Sequence, residues 1–430
     1  MEKLYKNYRQ RRDALVALVK SNHHAFTGPI MLFAPTDDHG IFHQDSNFYY
    51  FSGVVEPASV MLLADQEQVL YQPDYTPLRQ QWVSSSVVIT PEYARAIGFD
   101  DLRVTGKSVN VIHIYPYFDF NFYQSVIAYI TQALGRGDKI FTVYPSSSDE
   151  SVMVRMVIDR LSLVIPHLHE NIIDISPEIA QLRRKKDMSE IELLYKAVEI
   201  TTQAHYAATA LLKDGNKESQ VQAALEYVFT ENDAHPAYPS IVAGGIRGTV
   251  LHYILNDKPL VAGDLVVVDA GAQYKYYCAD ITRTYPVSGK FSQEQKELYE
   301  LVLQAQELVA EQAKPGMWLF NQDQPEMSLH HIAVNFFKQH GYEKYFTHGI
   351  GHFLGLDVHD VGNRSKPLQE GDVITIEPGL YIPEKNIGIR IEDNYWIVDQ
   401  ATPVCLSEAI PKTVQAVEEM MQQSLEVDLQ

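Results

Sequence analysis

Apolar residues recur at helical spacing over residues 5–20, and the unbroken apolar run Ile30-Met31-Leu32-Phe33-Ala34 behind them predicts a strand. Ser59–Ala64 reads as a second buried strand, with a turn at Asp65-Gln66-Glu67 before Val69-Leu70-Tyr71. Residues 121–134 read as helix, Lys139–Tyr144 as strand and 148–165 as helix again. Strands alternating with helices over roughly the first 175 residues predict a small α/β domain. Asp37 and Asp38 could meet a substrate amine there, but read better as a solvated acidic turn. Asn171–Pro177 is expected to lead from this domain to the next.

The run Arg183-Arg184-Lys185-Lys186-Asp187 is expected to be a solvated helix start. Ser189 with Glu192 has the form of a capping box, opening an amphipathic helix to about Leu212. Further helices are expected at Glu218–Glu231, from Ser292 to a stop at Pro315-Gly316, and from Ser328 to Gln339.

An internal repeat changes the picture. Gly263-Asp-Leu-Val-Val-Val-Asp-Ala-Gly271 resembles Gly371-Asp-Val-Ile-Thr-Ile-Glu-Pro-Gly379. Each copy follows two helices, and each precedes a second β-like segment with its own acid, Asp280 and Glu392 respectively. The second domain is therefore expected to be two similar halves with a site between them. Side chains at i and i+2 share a strand face. Val267 thus shares a face with Asp269, Thr375 with Glu377, and Arg390 with Glu392. Ionised carboxylates buried without partners cost several kcal/mol each. Four of them meeting at one axis call for cations.

Between the two copies and beside them lies Thr347–Asp360, THGIGHFLGLDVHD, which holds three histidines among glycines that let backbone approach a ligand. Adding His352 to the four acids gives oxygen-dominated ligation with one nitrogen. Four carboxylates balance two divalent cations. Manganese fits that donor set first, with cobalt, iron or zinc as alternatives. Two such ions ~3.5–4 Å apart would generate a nucleophile at neutral pH and polarise a carbonyl.

At 430 residues the chain has room for two cores. A formal net charge of −20 argues against nucleic acid, whose phosphates want clustered Lys and Arg. The two cysteines, Cys278 and Cys405, make no disulfide framework. The N-terminus lacks a secretory h-region and no run of ~18 apolar residues exists, so a cytoplasmic protein without a membrane span is expected.

The set Asp269, Asp280, His352, Glu377 and Glu392, in that order, resembles the metal ligands of the pita-bread metallopeptidases. That family includes methionine aminopeptidase, aminopeptidase P and prolidase. VVVDAGAQYKYYCADITRTYPVSGKF, HGIGHFLGLDVHDVG, TIEPGLYI and GIRIEDN match its aminopeptidase P and prolidase branch, as does QDSNFYYFSGVVEPASVML near the N-terminus. The resemblance implies an α/β creatinase-like domain over residues 1–175 and an α+β pita-bread catalytic domain over 176–430. It implies that Asp269 chelates one metal, that Asp280 and Glu392 bridge two, and that His352 and Glu377 complete the ligands of the other metal. Glu377 would also shuttle the proton of a metal-bridging hydroxide. His252 and His359 match histidines that contact substrate and steady the tetrahedral intermediate. His348 matches a pocket histidine near the proline, Tyr381 and Arg390 match pocket or supporting positions, and Arg364 matches an arginine for the substrate's far end. For Arg390 the shared strand face adds an independent reason, since it could orient Glu392. The implied activity is removal of the N-terminal residue from peptides with proline second, by a homodimer or homotetramer. The alternatives are a prolidase acting on Xaa-Pro dipeptides and a non-catalytic peptide-binding relative.

Overall fold

A computed structural model describes residues 2–24, 26–36, 42–64, 67–82, 87–108, 118–145, 152–287, 289–364, 366–399 and 402–427. Asp37 and Asp38 lie outside the described residues. The chain divides into two compact units, Met1–Arg183 and Arg184–Gln430. No helix among the described residues is long and apolar enough to cross a membrane.

The first unit is built on a six-stranded mixed sheet of β1 (Ile30–Phe33), β2 (Val60–Ala64), β3 (Glu67–Gln72), β4 (Asp101–Val104), β5 (Ile140–Thr142) and β6 (Ile172–Asp174). Its spatial order is β4-β3-β2-β1-β5-β6. β1, β2 and β3 run antiparallel to one another in sequence, and β4, β5 and β6 add in parallel. Met31, Phe33, Val60, Leu62, Val69 and Tyr71 form one core with Val126 and Ile130 of the helix Gln124–Gly135 and Val154, Val157 and Leu161 of the helix Val152–Ser162. Apolar periodicity in strands and helices thus met in the α/β layer that it predicts. The expected linker differs: residues 172–174 are strand β6, and the helix Ser176–Arg184 follows directly.

In the second unit the first long helix spans Met188–Thr209 and is capped by Asp187, two residues before Ser189. The Asp187 carboxylate accepts from the Ser189 and Glu190 N–H groups, and the Glu190 carboxylate accepts from the Asp187 N–H. The capping box is therefore Asp187/Glu190. The basic run before it is not solvated as expected. Arg184 makes a two-pronged pair with Asp372 at 2.8 and 2.7 Å, and Lys186 meets Asp360 at 2.7 Å. All four side chains are buried, because Asp360 and Asp372 lie inside the unit and need cations there. Lys185 alone stays exposed. The remaining helices, Glu218–Glu231, Gln293–Gln312 and Leu329–Gln339, form where their caps and apolar spacing place them; Ser292 and Ser328 are the caps of the last two.

Two long hairpins carry the repeat. The first runs β7 (His235–Pro236) and β8 (Ile241–Gly244) into β9 (Leu265–Ala270), β10 (Ala272–Tyr274), β11 (Tyr277–Cys278) and β12 (Ile281–Pro286). The second is β13 (Val373–Ile376), β14 (Gly379–Ile382), β15 (Ile387–Arg390) and β16 (Asp393–Trp396), with β17 (Val404–Cys405) at its edge. In each hairpin the inner strands pair with each other, the ladder then breaks, and the outer strands pair. The breaks fall at Gly271 and Ala279-Asp280 in the first hairpin, and at Glu377-Pro378 and Ile391-Glu392 in the second. Val266, Val268, Ala270, Ile374, Ile376 and Ile389 face the helix layer and share its core. The alternate positions, Val267 and Asp269, Thr375 and Glu377, turn the other way, as the strand alternation predicts.

Candidate metal centre

Asp269 sits inside β9, flanked by β12 and β8, opposite Thr282 and Ile241. Asp280, Glu377 and Glu392 stand at the ladder breaks, where a side chain can leave the sheet plane without disturbing a paired neighbour. His352 comes from the loop beside β13. There Thr375 N–H donates to the His352 carbonyl, Leu354 N–H to that of Val373, and Glu377 N–H to that of Ile350. Gly351 makes this possible, since a Cβ on it would lie 2.0 Å from the Thr375 carbonyl oxygen.

These elements bring the five expected ligands together. Asp280, His352 and Glu392 offer ligand atoms that all lie within 4.8 Å of one another, and all three residues are buried. His352 Nε2 is 3.2 Å from Asp280 Oδ2 and 3.6 Å from Glu377 Oε1. Asp269 joins through Tyr238, whose phenol oxygen lies 2.6 Å from both Asp269 Oδ1 and Asp280 Oδ1. A phenol has one proton and can donate to only one of them. The second contact therefore needs either a proton on that carboxyl or a cation beside the pair.

The electrostatics agree. Burial raises the Asp269 carboxyl, with Arg390 working against it and Asp280 with it. Burial, then Asp280, Glu377 and Asp269, push Glu392 far up. Burial pushes Glu377 up to about 7, with His352 opposing and Asp280 adding. Burial alone would lower His352, yet Asp280 and Glu377 carry it up to about 9. Crowded carboxylates and an imidazole drawn toward its cationic form describe a cluster short of positive charge, and divalent cations supply it. The donor set is oxygen with one nitrogen, so the residues fit such ions.

Around the cluster stand the other expected residues. The Tyr381 hydroxyl lies 2.8 Å from His348 Nε2 and accepts from Arg390 Nη1 at 2.9 Å. Burial, Arg390 and neighbouring histidines hold His348 down at about 4, so it is neutral at pH 7. His359 packs edge-on against the His352 ring, centroids 4.3 Å apart. It is lowered by burial, then by His352, and it feels both Arg364 and His252. His252 also acts on His348. His252 thus lies within electrostatic reach of His348 and His359, and Arg364 within reach of His359. Arg390 bonds two members of the cluster's surroundings. Its Nη2 donates to Asp269 at 2.6 Å, and its Nε donates to the Thr282 hydroxyl, which in turn donates to Glu392 at 2.7 Å. Arg390 and Glu392 thus share the Thr282 hydroxyl, and the guanidinium also acts on that acid through space. Tyr238 was not expected at all. It stands between Pro236 and Pro239 in a segment without periodicity, and no pattern in the sequence marks it. Cys278 is buried beside the centre and Cys405 is free as well.

Two family descriptions match the chain: Metallopeptidase family M24 over residues 192–399, and Aminopeptidase P, N-terminal domain, over residues 8–111. The Xaa-Pro aminopeptidase of Haemophilus influenzae is 33% identical over 408 residues, which cover 88% of each chain. This chain belongs to metallopeptidase family M24. M24 membership makes it a metallo-exopeptidase, a hydrolase that works with divalent metal ions, with a pita-bread catalytic unit behind an aminopeptidase P-type N-terminal domain. Among M24 relatives, the Xaa-Pro dipeptidase of Pyrococcus furiosus is 42% identical over 230 residues, but these are 52% of this chain and 64% of that protein. The solved structure of Escherichia coli aminopeptidase P with the inhibitor Pro-Leu matches this M24 fold with a TM-score of 0.80 at 28% identity. That match covers 98% of this chain and 99% of the other.

Proposed function

We propose that this M24 metallopeptidase is an Xaa-Pro aminopeptidase, which removes the N-terminal residue of a peptide whose second residue is proline. The observation that carries the reading is the full-length likeness to an Xaa-Pro aminopeptidase, N-terminal domain included. Asp269, Asp280, His352, Glu377 and Glu392 would hold two divalent cations, manganese first among them. When bound, such ions neutralise the carboxylates, acidify water and polarise the scissile carbonyl. Glu377 takes the proton of the attacking water and returns it to the leaving proline nitrogen. Its position at a ladder break, with 18% of its side chain still exposed, leaves it room for that exchange. His252 and His359 donate to the developing oxyanion, a term that is usually large in acyl chemistry. His348, Tyr381 and Arg390 line the proline side. Proline carries no N–H and a fixed φ, so its pocket must be shaped rather than hydrogen-bonded to that nitrogen. Arg364, within electrostatic reach of His359, meets the far end of longer substrates. We place the enzyme in the cytoplasm as a homodimer or homotetramer.

A second reading, an Xaa-Pro dipeptidase, has one observation in its favour: the higher identity, over about half of the chain, to the Pyrococcus furiosus dipeptidase. The two separate in one experiment. The manganese-loaded protein is offered an Xaa-Pro-Yaa tripeptide and an Xaa-Pro dipeptide side by side. Release of Xaa from the tripeptide is the expected result, and cleavage of the dipeptide alone establishes the second reading. A preparation that binds no divalent metal and cleaves neither overturns both.

A further inference from the structure

His252 stands in a long connection between β8 and β9 that exposes Ile246, Val250, Ile254 and Leu255 to solvent. Such a segment has little apolar packing to hold it, so what fixes its course matters. The answer is Glu218, the first residue of the helix Glu218–Glu231, whose side chain is fully buried. Its Oε1 accepts from the Gly244 N–H at 3.0 Å and from Arg247 Nε at 2.6 Å. Its Oε2 accepts from the Tyr253 hydroxyl at 3.0 Å and from the Lys258 N–H at 3.0 Å. One carboxylate therefore ties down the start of the connection, its helical turn, the residue next to His252, and its end. The Glu218 N–H completes the tie by donating to the Lys258 carbonyl. Asn256 secures the return with bonds to Val242, Gln222 and Ser240. On the other side the turn at Gly248 lies against β15, so closely that a Cβ on Gly388 would fall 1.9 Å from the Gly248 carbonyl oxygen. β15 is the strand that carries Arg390.

We infer that Glu218 is a positioning residue for the reaction: it sets where His252 stands relative to the metal centre, without touching substrate itself. The inference rests on His252 acting at the substrate, as proposed above. An amide cannot fully replace this carboxylate, because Gly244 N–H, Arg247 Nε–H and Lys258 N–H can only donate, so the amide nitrogen faces at least one of them in either orientation; the Tyr253 hydroxyl, which also lies 3.0 Å from Asp257 Oδ1, is the one neighbour able to accept. Glu218→Gln should therefore release part of the connection rather than leave it in place. Misplacing a catalytic group by ~1 Å costs on the order of a hundredfold.

The test uses the full-length manganese-loaded enzyme and a Xaa-Pro-Yaa tripeptide. Glu218→Gln should lower kcat by roughly tenfold to a hundredfold, with metal affinity unchanged by titration. In a His252→Ala background the same change should alter kcat by less than about twofold, since the group it positions is gone. Tyr253→Phe removes one of the four ties at a partly exposed side chain, and should show a weaker effect with the same dependence on His252. It carries the test if Glu218→Gln does not fold. An equal loss from Glu218→Gln in both backgrounds, or no loss in either, overturns the inference. A crystal structure of Glu218→Gln separates it from the reading of His252. If residues 245–257 have moved but His252→Ala is fully active, the role of His252 is wrong and the tie is right. If His252 stays in place while His252→Ala is impaired, the tie is wrong.

Discussion

The two hairpins of the catalytic unit answer the same design with different restraint. In the first, Asp269 and Asp280 share the Tyr238 phenol, and Asp269 is further gripped by Arg390. In the second, Glu392 receives a short bond from Thr282 of the first hairpin, but Glu377 receives only a long one, 3.3 Å, from Thr375. Otherwise Glu377 faces imidazoles, His352 at 3.6 Å and His348 at 3.8 Å. Asp269 keeps to a paired strand, whereas Glu377 has one more methylene, a ladder break and a proline behind it. The first pair of acids is held by a phenol and a guanidinium, whereas Glu377 has a single long hydroxyl bond and two imidazoles around it.

That contrast can be broken. Glu377→Ala should lower kcat by roughly 10²–10⁴-fold, while Asp280→Asn should lose more metal affinity than Glu377→Ala does. Turnover of a Xaa-Pro-Yaa peptide and a manganese titration measure the two. Equal loss of metal in both variants would make the acids equivalent. The repeat also places Asp264 and Asp372 in matching positions, one half-exposed and one fully buried on Arg184. Asp372→Asn should cost about 3–5 kcal/mol of stability, because it strands a buried guanidinium. Asp264→Asn should change stability by less than ~1 kcal/mol. Denaturant midpoints of the two variants decide it, and similar values would show that the halves are supported alike. Tyr238→Phe should weaken metal binding by roughly 10–100-fold by freeing the first pair of acids. A titration curve unchanged from wild type would show that the phenol restrains nothing.

Acid gives the gentlest test, again through the first hairpin. His205 is fully buried against the Tyr285 hydroxyl of β12, and burial, then Arg283, hold it down to about 3. The unfolded chain protonates this imidazole near pH 6.5, so between there and about 3 the unfolded state binds the extra proton. The stabilisation is complete above pH 6.5 and is lost as pH falls, by up to about 1.4 kcal/mol per unit. His205→Gln should lack that part of the slope when denaturant midpoints are followed from pH 7 to 4. An unchanged slope would assign the acid sensitivity to other groups.

Much of this centre was legible because its acids follow strong, short strands. The pattern of Gly-Asp, four apolar or β-branched residues, an acid, one residue and Gly marks both the strand and the position of Asp269 and Glu377 on it. The alternation Val266, Val268, Ala270 against Val267, Asp269 needs no structure to be read. What stayed hidden depends on the third dimension. Strand alternation put Arg390 beside Glu392, but not the bond from Arg390 to Asp269 across the repeat. A basic run is solvated by default, and only Asp360 and Asp372, far along the chain, reveal why Arg184 and Lys186 are buried. β8 is four residues long and β6 three, too short to show a period. Tyr238 and Glu218 belong to no repeating pattern. Both act by hydrogen bonds to residues distant in sequence, which composition and spacing do not encode.

The breaks in the two ladders carry one more consequence. Because pairing stops at the acids, their backbones seek partners across the repeat: the Glu392 N–H donates to the Thr282 carbonyl, and the Asp280 N–H to the Asn394 side chain. Neither half can therefore assemble its share of the centre alone. During folding, high affinity for the cation must arrive late, after the halves have docked, and a chain that has closed only one hairpin has little means of capturing metal in the wrong geometry. Metal uptake then reads out the completed unit, because Asp280 comes from one hairpin and Glu392 from the other.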